Sequence, residues 1–143
     1  MREPRPQQSA GRVLCLDHDQ DNCDLLTFLL QQFGYEVVTT TSNSEALHLA
    51  KGGDVDLITL DSRLREATGA ELCQKIRMFD PHVPILFCSG AAFPDDLDAA
   101  FSAGANAYVV KPFDPVDLLS KINELIRACR DSSLATMPPP GRS

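Results

Sequence analysis

Five short apolar runs alternate with five helical patterns along this chain, at residues 13–16, 35–40, 56–60, 85–88 and 107–110. Parallel strands need a crossover between them, and a helix is the usual one, so strict alternation argues for an open parallel sheet with helices on both faces. The run Ile85, Leu86, Phe87, Cys88 is apolar without interruption, as expected of a central strand covered on both sides. With 143 residues, the chain suits one domain with enough material for a core.

The helical segments carry their own punctuation. Asp21 or Asn22 is placed to cap a first helix running to about Phe33, with Leu25, Leu29 and Phe33 on one face and Gly34 stopping it. Ser42 with Glu45, and Thr68 with Glu71, read as capping boxes. They open a second helix with Ala46, Leu47 and Ala50 inward and a third carrying Leu72, Ile76 and Phe79. A fourth runs from about Asp95 to Ala103. Asp114 and Pro115 supply an N-cap and a first-turn proline for the last, whose Leu118, Leu119, Ile122, Leu125, Ile126 and Cys129 recur at helical spacing. The folded domain is expected over residues 11–130. Residues 1–10 and 131–143, the latter with Pro138, Pro139 and Pro140, are expected to be disordered.

Polar residues gather where the apolar runs stop. Asp17, His18 and Asp19 follow the first, Asp61 the third, Ser89 the fourth, and Lys111 with Pro112 the fifth. In a parallel sheet these positions fall on one edge, where ligands of such folds bind. A phosphate-binding glycine loop would normally follow the first strand, but acids stand there and would repel a nucleotide unless a cation intervened. Magnesium takes one or two carboxylates with water or phosphate oxygens completing its shell, and Asp17 plus Asp61 meets that preference.

The net charge of −7 counts against nonspecific attraction to nucleic acid or anionic membranes. No stretch approaches the roughly 20 apolar residues of a membrane span, and the first ten residues lack an apolar signal core. The expected location is the cytoplasm. Five cysteines without a CxxC pair fit reduced, mostly buried thiols.

Taken in order, the acidic cluster, Asp61 with Gly69 eight residues on, Ser89-Gly90, and the stretch from Gly104 through Lys111-Pro112 to Phe113 resemble a response-regulator receiver domain of two-component signalling. The resemblance runs from about Arg12 to Cys129. It implies a doubly wound flavodoxin-like (βα)5 fold, a five-stranded parallel sheet in the order 2-1-3-4-5. It implies that Asp61 is the phosphoacceptor, served by a sensor histidine kinase or phosphotransfer protein. A divalent metal, Mg2+ or Mn2+, would be held by Asp17, Asp61 and the backbone carbonyl of Arg63. Ser89 and Lys111 would contact the phosphoryl group, Ser89 and Tyr108 would form the switch, and Lys111-Pro112 would be a cis peptide. A downstream protein would read the face made by the fourth helix, fifth strand and fifth helix, with no direct nucleic-acid or membrane contact. A homodimer is compatible with the pattern.

His18 departs from the family, which usually carries a second acid there, and imidazole is a poor magnesium ligand. The expectation is weaker magnesium affinity, slower phosphotransfer, or both. Arg65, where proline is frequent, is a milder departure. Plainer readings stand beside these. Asp17 and Asp19 could be turn or capping residues, Tyr108 could simply pack, and His18 could sit in solvent with no metal role. His48 and His82 have no visible partners. Two alternative functions compete: a pseudo-receiver acting as a phosphorylation-independent interaction module, and an enzyme on the same architecture. The lack of a phosphate loop and of a nucleophile–base pair counts against the enzyme.

Overall fold

The computed structural model describes residues 9–64, 67–90 and 93–136, without the side chains of 132–136. The expectations for residues 1–8, Arg65 and residues 137–143 lie outside these described residues. The elements run β1 (Gly11–Leu16), α1 (Gln20–Gln32), β2 (Tyr35–Thr40), α2 (Asn43–Lys51), β3 (Leu57–Leu60), α3 (Gly69–Phe79), β4 (Ile85–Ser89), α4 (Pro94–Ala103), β5 (Ala107–Val110) and α5 (Pro115–Thr136). The strands form one parallel sheet in the order β2-β1-β3-β4-β5. That is the doubly wound order expected, with its reversal between β1 and β3.

Side-chain alternation splits the core into two layers. Leu14, Leu16, Ile58, Leu60, Ile85 and Phe87 face α2, α3 and α4. Val13, Cys15, Leu57, Leu86 and Cys88 face α1 and α5, where Leu26, Leu30, Leu118, Ile122 and Ile126 meet them. Each strand residue points opposite to the next, so both layers come from the same continuous apolar runs. At about 25 cal/mol per Å² of apolar surface removed from water, these two layers supply most of the drive to fold.

Register fixes the site. Leu16 pairs with Leu60, so Asp17 and Asp61 leave neighbouring strands at the same level. Leu60 pairs with Phe87, and Ser89 with Val110, which brings Ser89 and Lys111 to the same edge. The Lys111 N–H donates to the Ser89 carbonyl at 2.8 Å and ties the last two strands together there.

Several local expectations need correction. Helix α1 is capped by Asp19, whose side chain accepts from the Asp21 N–H, and not by Asp21 or Asn22. Its buried face is Cys23, Leu26 and Leu30, whereas Leu25 and Phe33 are more than half exposed. Leucines stand at 25, 26, 29 and 30, so spacing alone allowed either stripe, and packing on β1 decided. Phe79 ends α3 partly exposed, beneath the Lys51 ammonium, 5.7 Å from the ring centre. Helix α4 starts at Pro94 with Phe93 before it and no side-chain cap. Strand β1 starts at Gly11, two residues earlier than read. Helix α5 runs through Thr136 and so takes in residues 131–136, assigned above to a disordered tail. Propagation adds one backbone bond per residue and needs no new core contact.

Other expectations hold. The Ser42 and Thr68 hydroxyls accept from the N–H groups of Glu45 and Glu71, and Asp114 accepts from Val116 and Asp117. No helix among the described residues is long and apolar enough to cross a membrane.

Candidate functional site

Asp17 and Asp61 project from the ends of β1 and β3, and both are almost fully buried, at 2% and 4% exposure. Isolated buried carboxylates are costly unless paired or hydrogen-bonded. Here Lys111 provides the partner, with Nζ 2.5 Å from Asp17 Oδ2 and 3.2 Å from Asp61 Oδ2. The Lys111-Pro112 peptide is cis. Burial opposes the charge on Lys111, but its hydrogen bond to Asp17 and the charges of Asp61 and Asp17 outweigh it. The ammonium is held above its ordinary range.

Backbone groups complete the carboxylates. Asp17 Oδ1 accepts from the Asp19 N–H at 2.9 Å, with the Asn22 amide at 3.5 Å. Asp61 Oδ1 accepts from the Arg63 N–H at 3.1 Å. Asp19 does not turn toward the pocket: its carboxylate caps α1, which settles which of the two acids after β1 faces Asp61. His18 does. Although about half exposed, it brings Nδ1 to 3.6 Å from Asp17 Oδ1 and 3.5 Å from Asp61 Oδ2. One ligand atom from each of Asp17, His18 and Asp61 lies within 4.8 Å of the others. His18 is thus exposed to solvent, as the plainer reading had it, and its Nδ1 at the same time faces both carboxylates.

Ser89 is buried, its hydroxyl 2.5 Å from that of Ser62. Nothing in the sequence singled out Ser62, which is simply the residue after Asp61. Gly69 opens α3 directly against Asp61: a Cβ there would collide with the Asp61 carbonyl oxygen and stand 2.9 Å from the Phe87 ring. At Gly90 a Cβ would meet nothing within 4 Å, so that glycine leaves open space at the mouth. Tyr108 is partly buried and stacks on Phe87, ring centres 5.8 Å apart and planes 10° from parallel.

These residues surround an open pocket of about 430 Å³ lined by His18, Asn22, Asp61, Arg63, Ser89, Gly90, Phe93 and Lys111. Sequence reading missed Asn22 and Phe93 as lining residues. Phe93 precedes α4 and is exposed, the signature of a loop position with no periodicity to flag it. Chemically the pocket offers buried anionic oxygens, one nitrogen, a hydroxyl and an ammonium within reach of one another. The two carboxylates supply the oxygen ligands that a small divalent ion takes.

Cys88 adjoins Ser89, but burial pushes its thiol far up, with Cys15 adding to the shift, which disfavours a thiolate there. It is part of the core.

Comparison with known proteins bears on what this pocket is. The response regulator receiver domain family matches residues 13–123. The response regulator SaeR of Staphylococcus aureus (strain USA300) is 32% identical over 114 residues, 80% of this chain. The chain spans about half the length of that curated relative, 50% of it. A CheY-like receiver domain protein from Methanospirillum hungatei JF-1 superposes with a TM-score of 0.81 at 30% identity, covering 85% of this chain and 97% of the other. The receiver domain of the sensor histidine kinase PA1611 from Pseudomonas aeruginosa PAO1, solved with magnesium in its active-site cleft, superposes with a TM-score of 0.76 at 25% identity. That match covers 82% of this chain and 98% of the other.

Proposed function

The chain belongs to the response regulator receiver domain family, and from that premise we propose that Asp61 accepts a phosphoryl group from the phosphohistidine of a sensor histidine kinase or phosphotransfer protein. The observation that carries this reading is the Lys111 ammonium set between the buried carboxylates of Asp17 and Asp61.

The step follows from the groups present. An Asp61 oxygen forms the new bond to phosphorus as the nitrogen–phosphorus bond of the donor breaks, and the electron pair leaves with the donor imidazole. Such transfers depend on positioning and charge neutralisation more than on covalent help from the protein. Lys111 meets the incoming phosphoryl oxygens. Two unit charges at about 4 Å interact by roughly 4 kcal/mol at an effective dielectric of 20, enough to bias a two-state element. Asp17, Asp61, His18 and the backbone carbonyl of Arg63 are the groups assigned to a divalent cation, which when bound supplies further neutralisation of the phosphoryl oxygens. Gly90 lines the mouth.

Phosphorylation adds about −1.5 to −2 charges. In this reading Ser89 leaves Ser62 for the phosphoryl group, and Tyr108 follows on its Phe87 platform. The face of α4, β5 and α5 changes, and a protein partner or a second copy reads it. An equilibrium gap of a few kcal/mol suffices for such a switch. We place the protein in the cytoplasm, as a switch and not a metabolic enzyme.

The rival reading, a pseudo-receiver that binds partners without phosphorylation, draws on His18, which puts a nitrogen where acids usually stand. Intact mass after incubation with a small acyl-phosphate donor and a divalent metal separates the two. One phosphoryl adduct, lost in Asp61→Asn, supports the phosphoacceptor. An unmodified chain in magnesium and in manganese alike makes it a pseudo-receiver.

A further inference from the structure

We propose that this pocket selects a first-row transition cation over magnesium, with Nδ1 of His18 as a nitrogen ligand beside Asp17 and Asp61. The inference rests on the phosphoacceptor reading for what the cation serves, and on the His18 geometry for which cation it is.

The turn that carries His18 is held on both sides. Asp17 ahead of it is buried and accepts the Asp19 N–H, and Asp19 behind it is spent on capping α1. The side chain between them faces the carboxylates. Its Nδ1 lies 3.5 and 3.6 Å from one oxygen of each acid. Donors on neighbouring vertices around an ion with bonds of about 2.0–2.2 Å sit about 3–3.5 Å apart, so the two separations from His18 are close to those of a shared cation, and the three ligand atoms all lie within 4.8 Å of one another. The ring is about half exposed and lines the open pocket, where water or phosphoryl oxygens can enter.

The donor set then decides between ions. Magnesium is a hard cation that takes oxygen ligands and gives up its water reluctantly. Neutral imidazole suits iron, nickel, copper and zinc, manganese leans toward oxygen ligands as magnesium does, and affinity at a mixed site rises from manganese through cobalt and nickel to copper. An imidazole in place of a carboxylate also removes one negative charge. Asp17 and Asp61 bring two, and the Lys111 ammonium offsets part of that. A hard ion held chiefly by charge loses more from this exchange than one that bonds well to nitrogen.

The test uses the whole chain and three cations as probes: Mg2+, Mn2+ and Co2+. Manganese outbinds magnesium at many oxygen sites, so the deciding quantity is how substitution at His18 changes the ratio. Calorimetric titration should give tighter binding of Co2+ and Mn2+ than of Mg2+, His18→Ala should weaken Co2+ by about ten-fold, and His18→Asp should narrow the preference by about ten-fold. Bound Mn2+ should show electron-spin coupling to an imidazole nitrogen that disappears in His18→Ala. His18 is exposed, so neither variant threatens the core, and unfolding midpoints without metal confirm that. Unchanged cation ratios across the three proteins, or no nitrogen coupling, overturn the inference. Phosphoryl adduct formation in magnesium with no nitrogen coupling overturns it while sparing the phosphoacceptor. Nitrogen coupling with no adduct in any metal supports it and overturns the phosphoacceptor instead.

Discussion

The Lys111 ammonium sits closer to Asp17 than to Asp61, at 2.5 Å against 3.2 Å. Lys111 is thus anchored on the acid that is not the proposed phosphoacceptor, and it reaches Asp61 from that anchor. The arrangement keeps a positive charge at the site before any phosphoryl group arrives. It also leaves Asp61 free to exchange partners.

Removing that charge should destabilise the domain. Lys111→Met leaves two neighbouring buried carboxylates without their cation, and loss of one partner of a buried ion pair costs about 3–5 kcal/mol. Urea unfolding at neutral pH should record that gap, and added divalent metal should recover part of it. The Lys111 pKa is raised in the folded state, so its contribution is fully present below the unfolded lysine value. It fades as pH rises through the folded one. The gap between wild type and Lys111→Met should therefore hold steady up to about pH 10 and shrink above it. A gap independent of pH would show that packing, not charge, sets the loss.

Gly69→Ala should be destabilising, although alanine normally stabilises a helix relative to glycine by about 1 kcal/mol. The added Cβ would meet the Asp61 carbonyl oxygen and the Phe87 ring. The backbone carrying the proposed phosphoacceptor would have to move, at about 1–3 kcal/mol by the usual cost of overpacking. Thermal unfolding gives the sign. An unchanged or raised midpoint would mean that α3 does not press on Asp61 as described.

The thiols should divide by burial. Cys15, Cys23, Cys73 and Cys88 are buried, and Cys129 is partly exposed with its Sγ against the His82 carbonyl. An aromatic disulfide reagent should label Cys129 first and the rest only at the unfolding rate. Burial, the leading cause, pushes Cys15 up to about 12 from 9.0. Between those values the unfolded thiol ionises while the folded one keeps its proton, so this residue makes stability fall as pH rises. Stability of Cys15→Ala should start lower and fall less steeply across that window; parallel slopes would remove Cys15 from the account.

Much of this was legible in the chain, for reasons visible in particular residues. Leu16, Leu60, Cys88 and Val110 end apolar runs, and the polar residues at or just after those ends mark the sheet edge whatever the details of packing. Turn chemistry was equally readable at Ser42, Thr68 and Asp114, because a side-chain oxygen near a helix start has one good use. The phase of α1 was not, since apolar residues surround it and only contact with β1 separates Leu26 from Leu25. The direction of His18 was not legible either, because a loop residue has no periodicity to reveal which way its side chain turns. Arg77 escaped notice altogether. Its guanidinium donates to the carbonyls of Gly104, Asp80 and Val83 and to the Asn106 side chain, joining the end of α3 to the loops around α4. Such a clip depends on long-range placement that no local pattern encodes.

The central claim, that the carboxylate of Asp61 takes the phosphoryl group, is tested most directly by reductive trapping. Borohydride converts an aspartyl phosphate to homoserine, and peptide mapping then locates it. After treatment with an acyl-phosphate donor and a divalent metal, the account predicts homoserine at position 61 and nowhere else. Homoserine at another acid, or none under conditions where a known receiver is trapped, would contradict it.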